Sequence, residues 1–172
     1  MHDYHIRQAT IDDATALAQL RWDFSSPAQQ AAQPFDAFRE PFRDYLVEAF
    51  ARGWVIWVAE AGERLIGNIY IQIVAKLPRP GRFDHRWGYV TNVYVVPERR
   101  DARIGAALMA RVQEWARAED LEYLLLWPSE RAASFYQRTG FVPDQRALIW
   151  ELPARGQKLQ DHEAHAIHDA QP

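Results

Sequence analysis

Apolar positions recur along this chain in two rhythms, and the change of rhythm marks the elements. Tyr4 to Ala9 reads as a short first strand. Thr10 then reads as a helix N-cap, with Asp12 and Asp13 in the first turn, where acidic groups suit the helix dipole. Ala14, Leu17, Ala18 and Arg21 carry the helix to about Phe24, and Ser25-Ser26-Pro27 breaks it. Ala28 to Gln33 is a loop or a weak helical turn. A second long helix, Pro34 to Arg52, puts Phe35, Phe38, Phe42, Tyr45, Leu46 and Ala49 on one side, and Gly53 stops it. Trp54 to Glu60 and Arg64 to Ala75 predict a hairpin around Ala61-Gly62-Glu63, with Gly67 marking a bulge. Two prolines and a glycine make Lys76 to Trp87 a loop.

The most informative stretch follows. Tyr89 to Val96 is a β-branched and aromatic run, hence a strand, and Pro97 ends it because it has no N–H to donate. After the basic turn Arg99-Arg100-Asp101-Ala102-Arg103, residues Ile104, Leu108, Val112 and Trp115 fall at spacings of four, four and three, one stripe of a helix. A strand, a tight turn and a helix pointing its N-terminus back into that turn gather unpaired N–H groups and the positive end of a dipole. That arrangement favours phosphate. Leu121 to Trp127 is apolar nearly throughout, as in a strand buried on both faces and paired in parallel. Ser129 to Arg138 predicts a short helix, Thr139-Gly140-Phe141 a turn, and Arg146 to Leu152 a last strand.

Composition narrows the function classes. A chain of 172 residues suits one domain with a full core. Twenty Lys and Arg against 23 Asp and Glu give a net charge of −3, so no global basic field invites nucleic acid. Without cysteine there is no disulfide, no thiolate metal ligand and no cysteine acyl-enzyme. The N-terminus lacks the apolar core of a signal peptide, and no apolar run approaches membrane-spanning length, so the expectation is a cytoplasmic protein. The polar residues from Pro153 onward, with His162, His165 and His168, read as a tail rather than a metal site.

Two segments resemble signatures of the GNAT acetyltransferase superfamily. Val95-Val96-Pro97 and Arg100 to Gly105 are similar to its acetyl-CoA segment, V-x-P followed by R/Q-x-x-G-x-G/A, with Arg103 where the family usually has its first glycine. Ser129 to Phe141, SERAASFYQRTGF, resembles N-x-x-A-x-x-(F/L)-Y-x-x-x-G-F. The resemblance implies an α/β (α+β) GNAT fold over residues 1–152, a mixed central sheet splayed between the fourth and fifth strands and flanked by about four helices. It implies acetyl-CoA as cosubstrate, no metal, and an amine-bearing acceptor, with room for a homodimer. Cofactor contacts are expected from Val93, Val95, Arg100, Asp101, Ala102, Arg103, Gly105, Ala106, Ser129 and Ala132. Ser129 stands where the family often has an asparagine that bonds the pantetheine arm, and Tyr136 at the position of the general acid.

The chemistry explains why such residues are needed. An amine with a pKa of about 10.4 must lose a proton before it attacks a thioester, and a thiolate of pKa about 8.5 leaves better if a proton arrives. A tyrosine hydroxyl near the sulfur supplies that proton. The oxyanion needs a donor, which a free backbone N–H at Val93 or Val95 would provide. With no cysteine, transfer is expected to be direct, in a ternary complex. The general base is not identified: many relatives carry glutamate at the position of Thr91, and Asp84, His85 and Glu60 read more readily as surface or turn residues. Asp23, Asp36, Glu40 and Asp44 form either an acidic wall for a cationic acceptor or a solvated helix face. Two alternatives stay open, an acyltransferase for another acyl-CoA or a hydroxyl acceptor, and a non-catalytic coenzyme A-binding module.

Overall fold

The computed structural model describes residues 3–144, 147–150 and 152, with the backbone alone at Asp101. Five strands make one mixed sheet in the order β1-β2-β3-β4-β5. They are β1 (His5–Gln8), β2 (Trp54–Ala61), β3 (Arg64–Ala75), β4 (Arg86–Val95) and β5 (Leu124–Leu125). The first four run antiparallel, and β4 pairs with β5 in parallel through the α4 crossover. The helices are α1 (Ala14–Phe24), α2 (Pro27–Ala31), α3 (Phe35–Ala51), α4 (Ile104–Ala118) and α5 (Glu130–Arg138). All of these lie within one compact unit, Met1–Phe141; a second unit begins at Val142.

Of the two readings for the segment after Ser26, the helical turn holds: Pro27–Ala31 is a short helix, closed by a reciprocal capping box between Ser26 and Gln29. Two expectations are corrected. The apolar run Leu121 to Trp127 contributes only two residues to the sheet, Leu124 opposite Gly88 and Leu125 opposite Tyr89. Beyond them β4 and β5 part, so an apolar sequence that reads as a full strand has no ladder partner along most of its length. The expected last strand is absent from the described residues 147–150 and 152; Arg146 and Glu151 lie outside the described residues, as does the histidine-bearing tail.

The core explains why the sheet holds its shape. On α4, Ile104, Leu108, Met109 and Val112 are fully buried, the predicted stripe widened by Met109. Each such side chain contributes roughly 1.5–3 kcal/mol by leaving water. Gly88 is dictated by close approach, since a Cβ there would lie 2.7 Å from Leu124 Cδ2 and 3.0 Å from Ile71 Cγ2. Just before this pair, Glu122 accepts from Lys76 and His85 and pairs with Arg82 at 3.2 Å. Those bonds, the Lys76 bond first, hold its carboxyl down to about 2, from an ordinary 4.5. A depressed carboxylate stabilises the fold above its unfolded pKa and loses that stabilisation as pH falls toward the folded value. Glu122→Gln is therefore expected to melt below the parent at pH 7, the gap closing between about pH 4.5 and 2. Thermal melts across that range test it; a gap that persists at pH 2 would rule the carboxylate out.

Candidate functional site

The corner between β4 and α4 builds a cleft from local backbone rules. After Val95 the chain turns through a 3-10 segment, Pro97–Ala102, and enters α4 at Arg103. Arg103 takes the left-handed conformation, φ +57°, that the usual glycine would adopt freely. So the turn keeps its shape without glycine, at a cost of about 1 kcal/mol in backbone strain, and gains a guanidinium. A cleft of about 620 Å³ opens here, lined by Val93, Tyr94, Val95, Arg100, Arg103 and Gly105 on one side. Ala106 continues that wall, and Phe135 and Arg138 of α5, with Thr139 that caps it, also line the cleft. Three arginines and the start of a 15-residue helix thus share one cavity with the apolar residues Val93, Val95 and Phe135.

Six of the ten expected cofactor residues meet in this cleft: Val93, Val95, Arg100, Arg103, Gly105 and Ala106. Ala102, Ser129 and Ala132 do not line it. Ser129 instead opens α5, its carbonyl accepting from the Ala132 and Ala133 N–H groups at 2.9 and 3.1 Å. The Asp101 side chain lies outside the described residues. Tyr136 is half-buried, its ring edge-on to Phe135 at 5.1 Å and to Phe141 at 5.8 Å, and it is not among the lining residues. Burial raises its pKa, which keeps the hydroxyl protonated at neutral pH.

Phe135, Arg138 and Thr139 were not anticipated as a group. Their signal was a spacing of three and four on a short helix, which gives one shared face. Arg100 is tied locally, Nε donating to the Val95 carbonyl at 3.4 Å.

β4 breaks its ladder beside this cleft. Thr91 pairs with Tyr70 and Tyr94 with Asn68, so Asn92 and Val93 together face the single residue Ile69. This is a β-bulge, with Asn92 at φ +49°. The residues weighed as substitutes for a general base are engaged elsewhere. Glu60 accepts from Arg7 Nε at 2.6 Å, His85 faces Glu122 Oε1 at 3.0 Å and Asp84 pairs with Arg86 at 3.0 Å. Among the acidic helix residues, Asp36 and Glu40 pair with Arg39, and Asp23 accepts from Gln19 at 2.8 Å. Those contacts fit a solvated face. Trp22, Phe35, Phe38 and Phe42 form a chain of ring contacts between α1 and α3. No cluster of three or more metal-ligating side chains occurs among the described residues, and no helix there is long and apolar enough to cross a membrane.

Arg103 permits a diagnostic substitution. Arg103→Gly is expected to stabilise the fold by about 0.5–1 kcal/mol, by relieving the positive φ. If the cleft holds the phosphates of coenzyme A, as the resemblance implies, the same change is expected to weaken that binding by about 1–3 kcal/mol, the worth of a charge-assisted hydrogen bond. Thermal melts and calorimetry read the two effects with opposite signs. Binding equal to or tighter than the parent's would show that the side chain only extends into solvent.

Comparison with known proteins agrees with this geometry. The family model described as "Acetyltransferase (GNAT) family" matches residues 15–141. A glucosamine 6-phosphate N-acetyltransferase of Trypanosoma brucei brucei is 30% identical over 89 residues, 52% of this chain and 58% of the relative, so the match spans little more than half of that protein. A predicted acetyltransferase from Clostridium acetobutylicum, solved with acetyl-CoA, superposes with a TM-score of 0.68 at 21% identity, over 86% of this chain and 96% of that one. A GCN5-related N-acetyltransferase from Ralstonia eutropha JMP134 gives 0.67 at 26% identity, over 89% and 99%.

Proposed function

This chain belongs to the acetyltransferase (GNAT) family, and we propose that it moves an acetyl group from acetyl-CoA to a primary amine, by direct attack in a ternary complex. The observation that carries the reading is the cleft at the β4–α4 corner, where Arg100, Arg103 and Arg138 surround a helix N-terminus. Its donors suit the phosphates of coenzyme A, and its apolar walls, Val93, Val95 and Phe135, suit a pantetheine arm and a thioester. The curated relative's name, an N-acetyltransferase of an amino sugar phosphate, supports nitrogen as the acceptor atom.

In this reading the phosphates rest against α4's N-terminus and the arginines, and the acyl end reaches the bulge in β4. The Val93 N–H donates to the oxyanion that forms as the amine attacks. Tyr136 gives its proton to the departing thiolate, a role that requires its hydroxyl to reach the cleft from behind Phe135. Thr91 has no basic group, so the ammonium proton leaves by another route, to water.

One alternative has specific support. Thr91 in place of a glutamate, together with Tyr136 outside the cleft lining, favours a coenzyme A-binding module without catalysis. Two measurements separate the readings: a thermal-shift comparison of coenzyme A with acetyl-CoA, and thiol release over a panel of amines and alcohols. Stabilisation by both ligands with acceptor-dependent thiol release from amines is expected. Stabilisation without release from any acceptor would leave only the binding module, and no stabilisation would remove both.

A further inference from the structure

β3 contains one polar residue where its apolar neighbours would lead one to expect another hydrophobe. Asn68 is 0% exposed, in a run from Leu65 to Ile71 that is buried throughout. A buried amide costs free energy unless its groups are bonded. Its Nδ2 donates to the backbone carbonyl of Asn92 at 2.6 Å, whereas its Oδ1 has no partner among the described residues. Asn92 itself, at φ +49°, has both side-chain polar atoms buried and unpartnered among the described residues. This residue therefore gains no local side-chain bond that would hold its unusual backbone. The tie that holds it comes from Asn68.

We propose that Asn68 is a positioning residue for acyl transfer: its amide fixes the Asn92–Val93 peptide so that the Val93 N–H is aimed at the thioester carbonyl. The inference rests on the acetyl-transfer reading above. In a planar trans peptide the C=O of one residue and the N–H of the next point to opposite sides. Drawing the Asn92 carbonyl onto Asn68 therefore turns the Val93 N–H away from β3, toward the side of β4 that β5 leaves uncovered. Neither Asn92 nor Val93 has a partner of its own across the ladder, and Val93 lines the cleft. An ordinary strand would point that N–H into its ladder. The bulge frees it, and Asn68 selects its direction. Preorganised donors of this kind act without reorganising at the moment of reaction, which is what makes them effective.

The test uses two variants, Asn68→Ala and the volume-matched Asn68→Leu, and acetyl-CoA labelled with carbon-13 at its carbonyl. In the parent, the infrared band of the bound carbonyl is expected below its position in buffer. In either folded variant the band should return most of the way, while calorimetry shows acetyl-CoA affinity within about threefold of the parent. Turnover should fall by about ten- to a hundredfold at nearly constant KM. A band that stays shifted in the folded variants overturns the inference, as does a parent band that never shifts. If neither variant folds, Asn68 is a structural residue and the inference falls. A parent that binds no acetyl-CoA removes the acetyl-transfer reading and this inference together; one that binds it without a band shift removes this inference alone.

Discussion

A Gly105→Glu variant is expected to fold normally and to lose coenzyme A binding by at least about a thousandfold. A Cβ at Gly105 would lie 3.5 Å from Phe135 Cζ and 3.8 Å from Val95 Cγ2, ordinary contact distances, so the backbone accepts a side chain there. Glycine is also poor in a helix, and a glutamate in the first turn suits the dipole, so stability should hold or rise by a few tenths of a kcal/mol to 1 kcal/mol. Binding should collapse for the opposite reason. The new carboxylate enters the cleft among Arg100, Arg103 and Arg138, where it competes for the guanidinium groups and repels phosphate. Two like charges about 4 Å apart near a protein surface repel by about 4 kcal/mol, close to a thousandfold. Gly105→Ala, which adds contact without charge, should bind within a few-fold of the parent. Calorimetry with coenzyme A and thermal melts of the three proteins decide the matter. Parental affinity in the glutamate variant would move the phosphates elsewhere.

The second large effect is expected at Tyr136. Tyr136→Phe keeps a ring packed on Phe135 and Phe141 and removes only a hydroxyl, so the melting temperature should barely move. Turnover should fall by roughly ten- to ten-thousandfold, around the usual worth of a general acid. Acetyl-CoA affinity should stay within a few-fold, because the proton is given only as the thiolate departs. Burial raises the tyrosine's pKa, so the hydroxyl stays protonated across the neutral range and no loss of acid function is expected there on its account. Steady-state release of coenzyme A with an amine acceptor, for parent and variant across pH, is the measurement. A variant that turns over at the parental rate while chemistry limits would assign the proton to water and leave Tyr136 as a packing residue.

What could be read from sequence followed from how local each signal is. The α4 stripe and the Arg100-to-Gly105 turn were legible because helix period and turn chemistry act within a few residues. The extent of β5 was not. Six apolar residues in the seven from Leu121 to Trp127 say that a strand is buried, but its pairing depends on where β4 turns away, and a bulge at Asn92–Val93 leaves no clear mark in YVTNVYVV. Arg138 escaped for a similar reason: what matters is that α5 faces α4's N-terminus across space. Asn68 did carry a signal, a lone amide in LIGNIYI, which is meaningful only once its partner carbonyl is known. The short helix at Pro27 could have been found from Ser26 and Gln29, a capping box spelled out in the sequence.

The two-pair seam between β4 and β5 has a consequence for the lifetime of the protein. Few ladder bonds join these strands, and Gly88, which permits their close approach, leaves no side chain of its own to pack there. A seam of this kind is where local opening starts, well before global unfolding. The cleft has walls from both sides of it: β4 and the start of α4 on one, α5 on the other. On the proposed reading, a coenzyme lying in the cleft would span the seam and resist its opening, and mass action would set the protection by concentration relative to Kd. Protease cleavage after Leu125 should then slow as coenzyme A rises, which would make the supply of that metabolite a control on how long each copy survives.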